Sequence, residues 1–178
     1  ITAGVQGGKY RQHGCHLGWD YRYVVAYYDG SSNGGDIQAK IMDSQDFTTV
    51  VKDSWVANTI TAGVQDEPFV CKVGDSHFWL LYVSDNELLC DVYDFDGTHV
   101  HHFTVISDTT MPRSRPGCAY LGAEIDTVAI TVQEWVDAVP SSTGVRVKRV
   151  DASTYADVGS LAWVATSTGD LGRPSISA

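Results

Sequence analysis

The chain has 178 residues, 43% of them apolar, and a formal net charge of -10 from 12 Lys+Arg against 22 Asp+Glu. That composition is enough to bury a core and excludes a disordered chain, while the charge repels nucleic acid and anionic lipid over most of the surface. The longest apolar runs, VVAYY and FWLLYV, are far shorter than the roughly 20 residues a spanning helix needs, so neither a polynucleotide partner nor membrane insertion is expected.

In chain order, the first strong element is YRYVVAYYDG (21–30), a β-branched and aromatic run that ends in turn formers and predicts a strand buried on both faces. DIQAKIMDS follows. There Ile37, Ala39 and Ile41 share one face and Gln38, Lys40 and Met42 the other, which predicts a half-exposed strand. HFWLLYVSD (77–85) and DTVAITVQEW (126–135) predict two more doubly buried strands. Breaker runs such as DGSSNGGD, DFDG, PSSTG and STGDLGRP separate the elements. Almost no segment carries a helical period, so the fold class is all-β. The second strands are expected to place Val24, Ala26, Trp79, Leu81, Val128 and Ile130 in the core.

The strands come in sets. Gly18, Gly74 and Gly122 each precede an apolar strand within a few residues, at spacings of 56 and 48. Asp43, Asp94 and Asp151 each close an alternating strand, at spacings of 51 and 57, and Trp55 and Trp163 stand 108 apart in SWVANTITAG and AWVATSTGD. Units of this length with four strands are the sequence signature of propeller blades. The boundaries fall at about 7–60, 61–110 and 111–168, with 169–178 as the start of a further blade or a donated strand.

The segment WVANTITAGVQDEPFV, the strand GDSHFWLLY and the turn DVYDFDGT resemble a repeat found in tandem in large secreted or surface proteins of bacteria. In that family a segment like F-x-V-N-T-x-T-x-G-x-Q-x-x-P precedes a D-G-G-F-V-V-x-W strand and a Y-A-Q-R-Y-D-A-D-G turn. The broader group of sialidase-like bladed proteins also favours an R-P-x-I opening to the inner strand, similar to RPGC at Arg115 and GRPSIS here. The resemblance is clearest from Ile37 to Asp96, and the third unit departs from it where DASTYAD replaces the Asp-Gly turn. It implies a β-propeller-like fold of three four-stranded antiparallel blades plus an extra C-terminal inner strand.

The hexapeptide ITAGVQ occurs at 1–6 and again at 60–65, so it reads as the seam between blades. The chain has no initiator Met or leader, which suits a processed or longer exported product. Arg173, Pro174, Ser175, Ile176, Ser177 and Ala178 form a spare first strand, expected to complete a sheet on a neighbour and cover an open edge.

Four cysteines read either as small apolar residues of inner strands or as disulfide partners, with Cys15 and Cys71 the preferred pair. No metal site is assigned. His99 and His101 share a face if their strand alternates, and the Asp-rich turns DSQD and DFDG leave calcium open as a cofactor. A sialidase-like activity requires an arginine cluster, for which Arg11, Arg113, Arg115 and Arg173 are candidates, with Glu124 or Glu134 nearby. Ligand-binding candidates are Trp19, Tyr21, Arg115 and Arg173, the aromatics for stacking on sugar. The resulting expectation is an extracellular or cell-surface structural or adhesive repeat module. It assembles with copies of itself or with the rest of a longer chain through open blade edges. The alternative is a carbohydrate-binding or glycoside-cleaving propeller.

Overall fold

The computed structural model describes residues 12–18, 21–30, 35–107, 113–135 and 143–167. Among them run twelve strands and no helix: β1 (Gln12–His16), β2 (Arg22–Asp29), β3 (Asp36–Asp43), β4 (Val50–Val56), β5 (Gln65–Val73), β6 (His77–Ser84), β7 (Glu87–Asp94), β8 (His99–Ile106), β9 (Arg113–Tyr120), β10 (Thr127–Trp135), β11 (Thr143–Asp151) and β12 (Ala162–Ser167). They form three antiparallel sheets in strand order β1-β2-β3-β4, β5-β6-β7-β8 and β9-β10-β11-β12. The all-β class and its three four-stranded sets are as the sequence implied.

The repeated landmarks have backbone reasons. Gly18, Gly74 and Gly122 follow the first strand of each sheet with φ of 123°, 60° and 96°, a region that side chains disfavour. Asp43, Asp94 and Asp151 end the third strands and nucleate the next turn. Asp43 Oδ1 accepts from Gln45 N at 2.7 Å and Asp151 Oδ1 from Thr154 N at 2.7 Å, whereas Asp94 uses its backbone oxygen to hold Gly97 N at 2.8 Å. The left-handed residue is Gly97 in the second sheet and Phe47 and Tyr155 in the other two, with φ of 53° and 61°. DASTYAD thus keeps the turn in a version one residue longer, with an aromatic where the Gly stood.

The first strands β1, β5 and β9 lie side by side and run the same way. Val70 N reaches His13 Nδ1 at 3.2 Å near their starts, and Gly74 and Asp75 share a cleft with Tyr120 and Ala123 near their ends. Each sheet has a leading face toward the next sheet and a trailing face toward the previous one. Leading Val24, Ala26, Ile37, Ala39 and Ile41 pack on trailing Phe78, Leu80, Tyr82, Leu89 and Tyr93. Leading Trp79, Leu81, Leu88, Cys90 and Val92 pack on trailing Val128, Ile130, Val132 and Val150. All six core residues expected on the second strands are 0–1% exposed. One expectation fails: β2 is fully buried on its leading face alone, where Val24 and Ala26 pack on the second sheet, and its other face is half-buried.

The disulfide expectation also needs correction. Cys71 bridges Cys118, Cα atoms 6.2 Å apart, and Cys15 is a free thiol. Cys15 and Cys71 occupy the same register and both point forward, so they cannot meet. Cys118 has the opposite parity, four residues before Gly122 rather than three, and points back at Cys71. The seam hexapeptide ends on Gln65, fully buried, whose Nε2 donates to Ala62 O at 2.6 Å. Residues 1–6 and the spare strand Arg173 to Ala178 lie outside the described residues.

Candidate functional site

The seam between the first and second sheets is built from the WVANT motif. After β4 ends, Asn58 turns inward: its Oδ1 accepts from Ile37 N at 2.7 Å and its Nδ2 donates to Ile60 O at 2.6 Å, which fixes the linker on the first sheet. The next residue, Thr59, then reaches across the seam. Its N–H donates to Asp91 Oδ2 at 3.0 Å and its hydroxyl to Asp91 Oδ1 at 2.9 Å. Asp91 is fully buried, so these donors replace the water its carboxylate has lost. His102 Nδ1 and His99 Nε2 complete the shell at 2.9 and 3.1 Å from Asp91 Oδ1. Tyr82 lies beside this carboxylate; its own burial, and then Asp91's charge, push its phenol far above the ordinary range.

His99 and His101 were expected to share a face. They do not, because a register shift in β8 sets Tyr93 opposite His99 but Val92 opposite His101. His99 therefore joins His102 on Asp91, and His101 faces the second seam, stacked on Tyr155 at 4.3 Å.

Two cations of the first sheet also cap the β7–β8 turn. Arg22 Nη1 donates to Phe95 O at 2.9 Å and Lys52 Nζ to Gly97 O at 2.5 Å. At the second seam, Lys148 donates to Val105 O and pairs with Asp157 at 2.8 Å. Both seams thus combine an apolar centre with polar clasps that fix sheet against sheet.

The end of the molecule that carries the glycine turns holds an open cleft of about 550 Å³ lined by Lys72, Asp75, Tyr120 and the Cys71 bridge. Burial, followed by a 3.0 Å hydrogen bond to Asp126, raises the Tyr120 phenol above its ordinary pKa. Tyr21 is half exposed in the β1–β2 turn at this same end, with a φ of 55°.

Arg115 sits at the other end, near the start of β9, where Nη1 donates to Gln133 Oε1 at 2.9 Å. Tyr21 and Arg115 are not brought together. Glu134 lies at Arg115's end, pairing with Arg146 at 3.0 Å, whereas Glu124 lies in the β9–β10 turn at the cleft end. Trp19, Arg11 and Arg173 lie outside the described residues, as does the side chain of Arg113.

No protein-family model and no curated protein matches this chain. Thr59, Asp91, Lys148 and Arg146 are the residues that sequence reasoning missed. A signal for the first was present, since the N-T of WVANT directly follows the apolar end of a fourth strand.

Proposed function

We propose that the chain is an extracellular structural or adhesive module of propeller-like blades that works by joining further copies of itself. One observation carries this reading: the middle sheet is closed on both faces by its neighbours, and closest approach between sheets is along β1, β5 and β9. Sheets that converge on their first strands and stack face to face are the building plan of a propeller, in which each blade is stabilised by the next. The Cys71–Cys118 bridge across the second seam supports an oxidising location such as the cell exterior. Sedimentation velocity over a hundredfold concentration range tests it. The expected result is an s-value that rises with concentration; a constant monomer value rejects self-assembly.

A second reading is carbohydrate binding at the glycine-turn end, favoured by a cleft lined by a phenol, an ammonium and a carboxylate, at the same end of the sheets as the exposed Tyr21. A glycan array probed with the chain and with a Lys72→Ala/Tyr120→Phe variant tests that reading. Signals that the variant abolishes support it, and signals equal in both reject it.

A further inference from the structure

We infer that Ser76, His77 and Asp94 form an acyl-transfer relay beside the cleft at the glycine-turn end, able to hydrolyse small carboxylic esters. The inference goes beyond the self-assembly and carbohydrate readings and depends on neither. It starts from a departure within the repeat. Asp43, Asp94 and Asp151 hold one register position, opposite Arg22, His77 and Thr127 on the second strands. In the first and third sheets the carboxylate of that Asp nucleates the turn that follows, accepting from Gln45 N and Thr154 N. In the second sheet Asp96 takes over this task, accepting from Thr98 N at 2.8 Å. The Asp94 carboxylate holds His77 instead, with Oδ1 3.2 Å from Nε2.

These contacts assign the ring protons. A carboxylate only accepts, so Nε2 carries the proton of the neutral His77 ring and Nδ1 is left as an acceptor. Ser76 Oγ lies 2.8 Å from that Nδ1 and donates to it. A hydroxyl is thus bonded to a base that a third group orients, which is the logic of a nucleophilic triad. The backbone fixes the arrangement: His77 and Asp94 are directly paired across β6 and β7, and Phe95 N donates to Ser76 O at 3.1 Å, which ties the two turns together. Ser76 is exposed and follows Gly74 and Asp75, both of which line the cleft. Nothing lies within 4 Å of the point where a Cβ on Gly74 would sit, so the approach to this turn is open. The Ser76 amide serves no backbone oxygen among the described residues, and it is the donor next to the point of attack.

In the first step Ser76 Oγ attacks the ester carbonyl carbon while its proton passes to His77 Nδ1, and the carbonyl oxygen becomes the oxyanion of a tetrahedral intermediate. The intermediate collapses, the bond to the alcohol oxygen breaks, and the alcohol leaves with the proton from Nδ1. Water then attacks the acyl-serine by the same route, releasing the carboxylic acid and restoring the hydroxyl, so each turnover consumes one ester and one water. Asp94 is a positioning residue that holds the ring and its tautomer and faces the imidazolium as it forms. An ester is the fitting substrate class, because an alcohol departs more readily than an amine and His77 is partly open to solvent.

Two probes test this on the full-length chain, p-nitrophenyl acetate as the ester and a biotinylated fluorophosphonate as the trap for an activated hydroxyl. The fluorophosphonate is expected to label Ser76, identified by peptide mass. Ester hydrolysis is expected to fall at least tenfold in Ser76→Ala and in His77→Gln, each with an unchanged far-ultraviolet spectrum. Asp94→Asn is expected to lower kcat with KM unchanged, and Asp94→Glu to recover part of the loss. A parent chain that leaves Ser76 unlabelled, or a Ser76→Ala variant that hydrolyses the ester as fast as the parent, overturns the proposal. Equal rates for Asp94→Asn and the parent remove Asp94 from the relay.

Discussion

Thr59 and Asp91 belong to different sheets yet share two hydrogen bonds, backbone N–H to Oδ2 at 3.0 Å and hydroxyl to Oδ1 at 2.9 Å. A carboxylate with no solvent access depends on such donors, and bonds to charged groups contribute about 1.5–3 kcal/mol each. Thr59→Val keeps the shape and removes the hydroxyl. It is expected to lower unfolding stability by about that amount in urea titration, and a change below about 0.5 kcal/mol would show that the clasp adds nothing.

Trp79 fills the second seam, fully buried and edge-on to Phe103 at 5.3 Å. Trp79→Ala is expected to cost about 3–5 kcal/mol, the range for large aromatic truncations. Denaturant midpoints with a constant m-value measure it, and a loss under about 1 kcal/mol contradicts the placement of β6 between two sheets.

Cys71 and Cys118 close a loop across a sequence separation of 47 residues. The paired Cys71→Ser/Cys118→Ser variant is expected to lose about 2–4 kcal/mol relative to the oxidised parent, and Cys15→Ser much less. Peptide mapping without reductant distinguishes this bridge from one between Cys15 and Cys71.

His13 ties stability to pH. It stacks on Phe69 at 3.7 Å and accepts the Val70 N–H at Nδ1, and burial holds its pKa below the ordinary value of 6.5. The folded chain thus keeps His13 neutral while the unfolded chain takes up a proton. Its contribution is complete above pH 6.5 and is lost as pH falls from there toward the depressed folded value. Melting temperatures from pH 8 to 5 are expected to fall less steeply for His13→Phe, and parallel curves for the two chains refute the assignment.

Phe47 and Tyr155 hold the same left-handed backbone position but should respond differently to Gly. Phe47 is mostly exposed and meets Tyr23 only by its edge, so Phe47→Gly is expected to relieve strain and stabilise by up to about 1 kcal/mol. Tyr155 stacks on His101 and Phe103 and leans on Trp79, so Tyr155→Gly is expected to destabilise by about 2 kcal/mol or more. Thermal melts of both variants that move in the same direction would remove the distinction.

The sequence by itself determined the strands and their turns, because those depend on neighbours a few residues apart. Alternation in residues 37–42 separated buried Ile37, Ala39 and Ile41 from half-buried Gln38, Lys40 and Met42, and the spacing of Gly18, Gly74 and Gly122 marked positions whose backbone requires glycine. Contacts across a seam were beyond that reach. Cys118 meets Cys71 because it sits one residue earlier in its strand than Cys15 and Cys71 do in theirs and so points to the opposite face, a relation that needs two sheets to exist. His99 leaves His101 for His102 because β8 slips against β7, and a slip of one residue reverses which face a side chain takes. Asp91 read as one more strand polar residue; only the packing of the first sheet on the second removed its water and brought Thr59 and the two histidines to replace it.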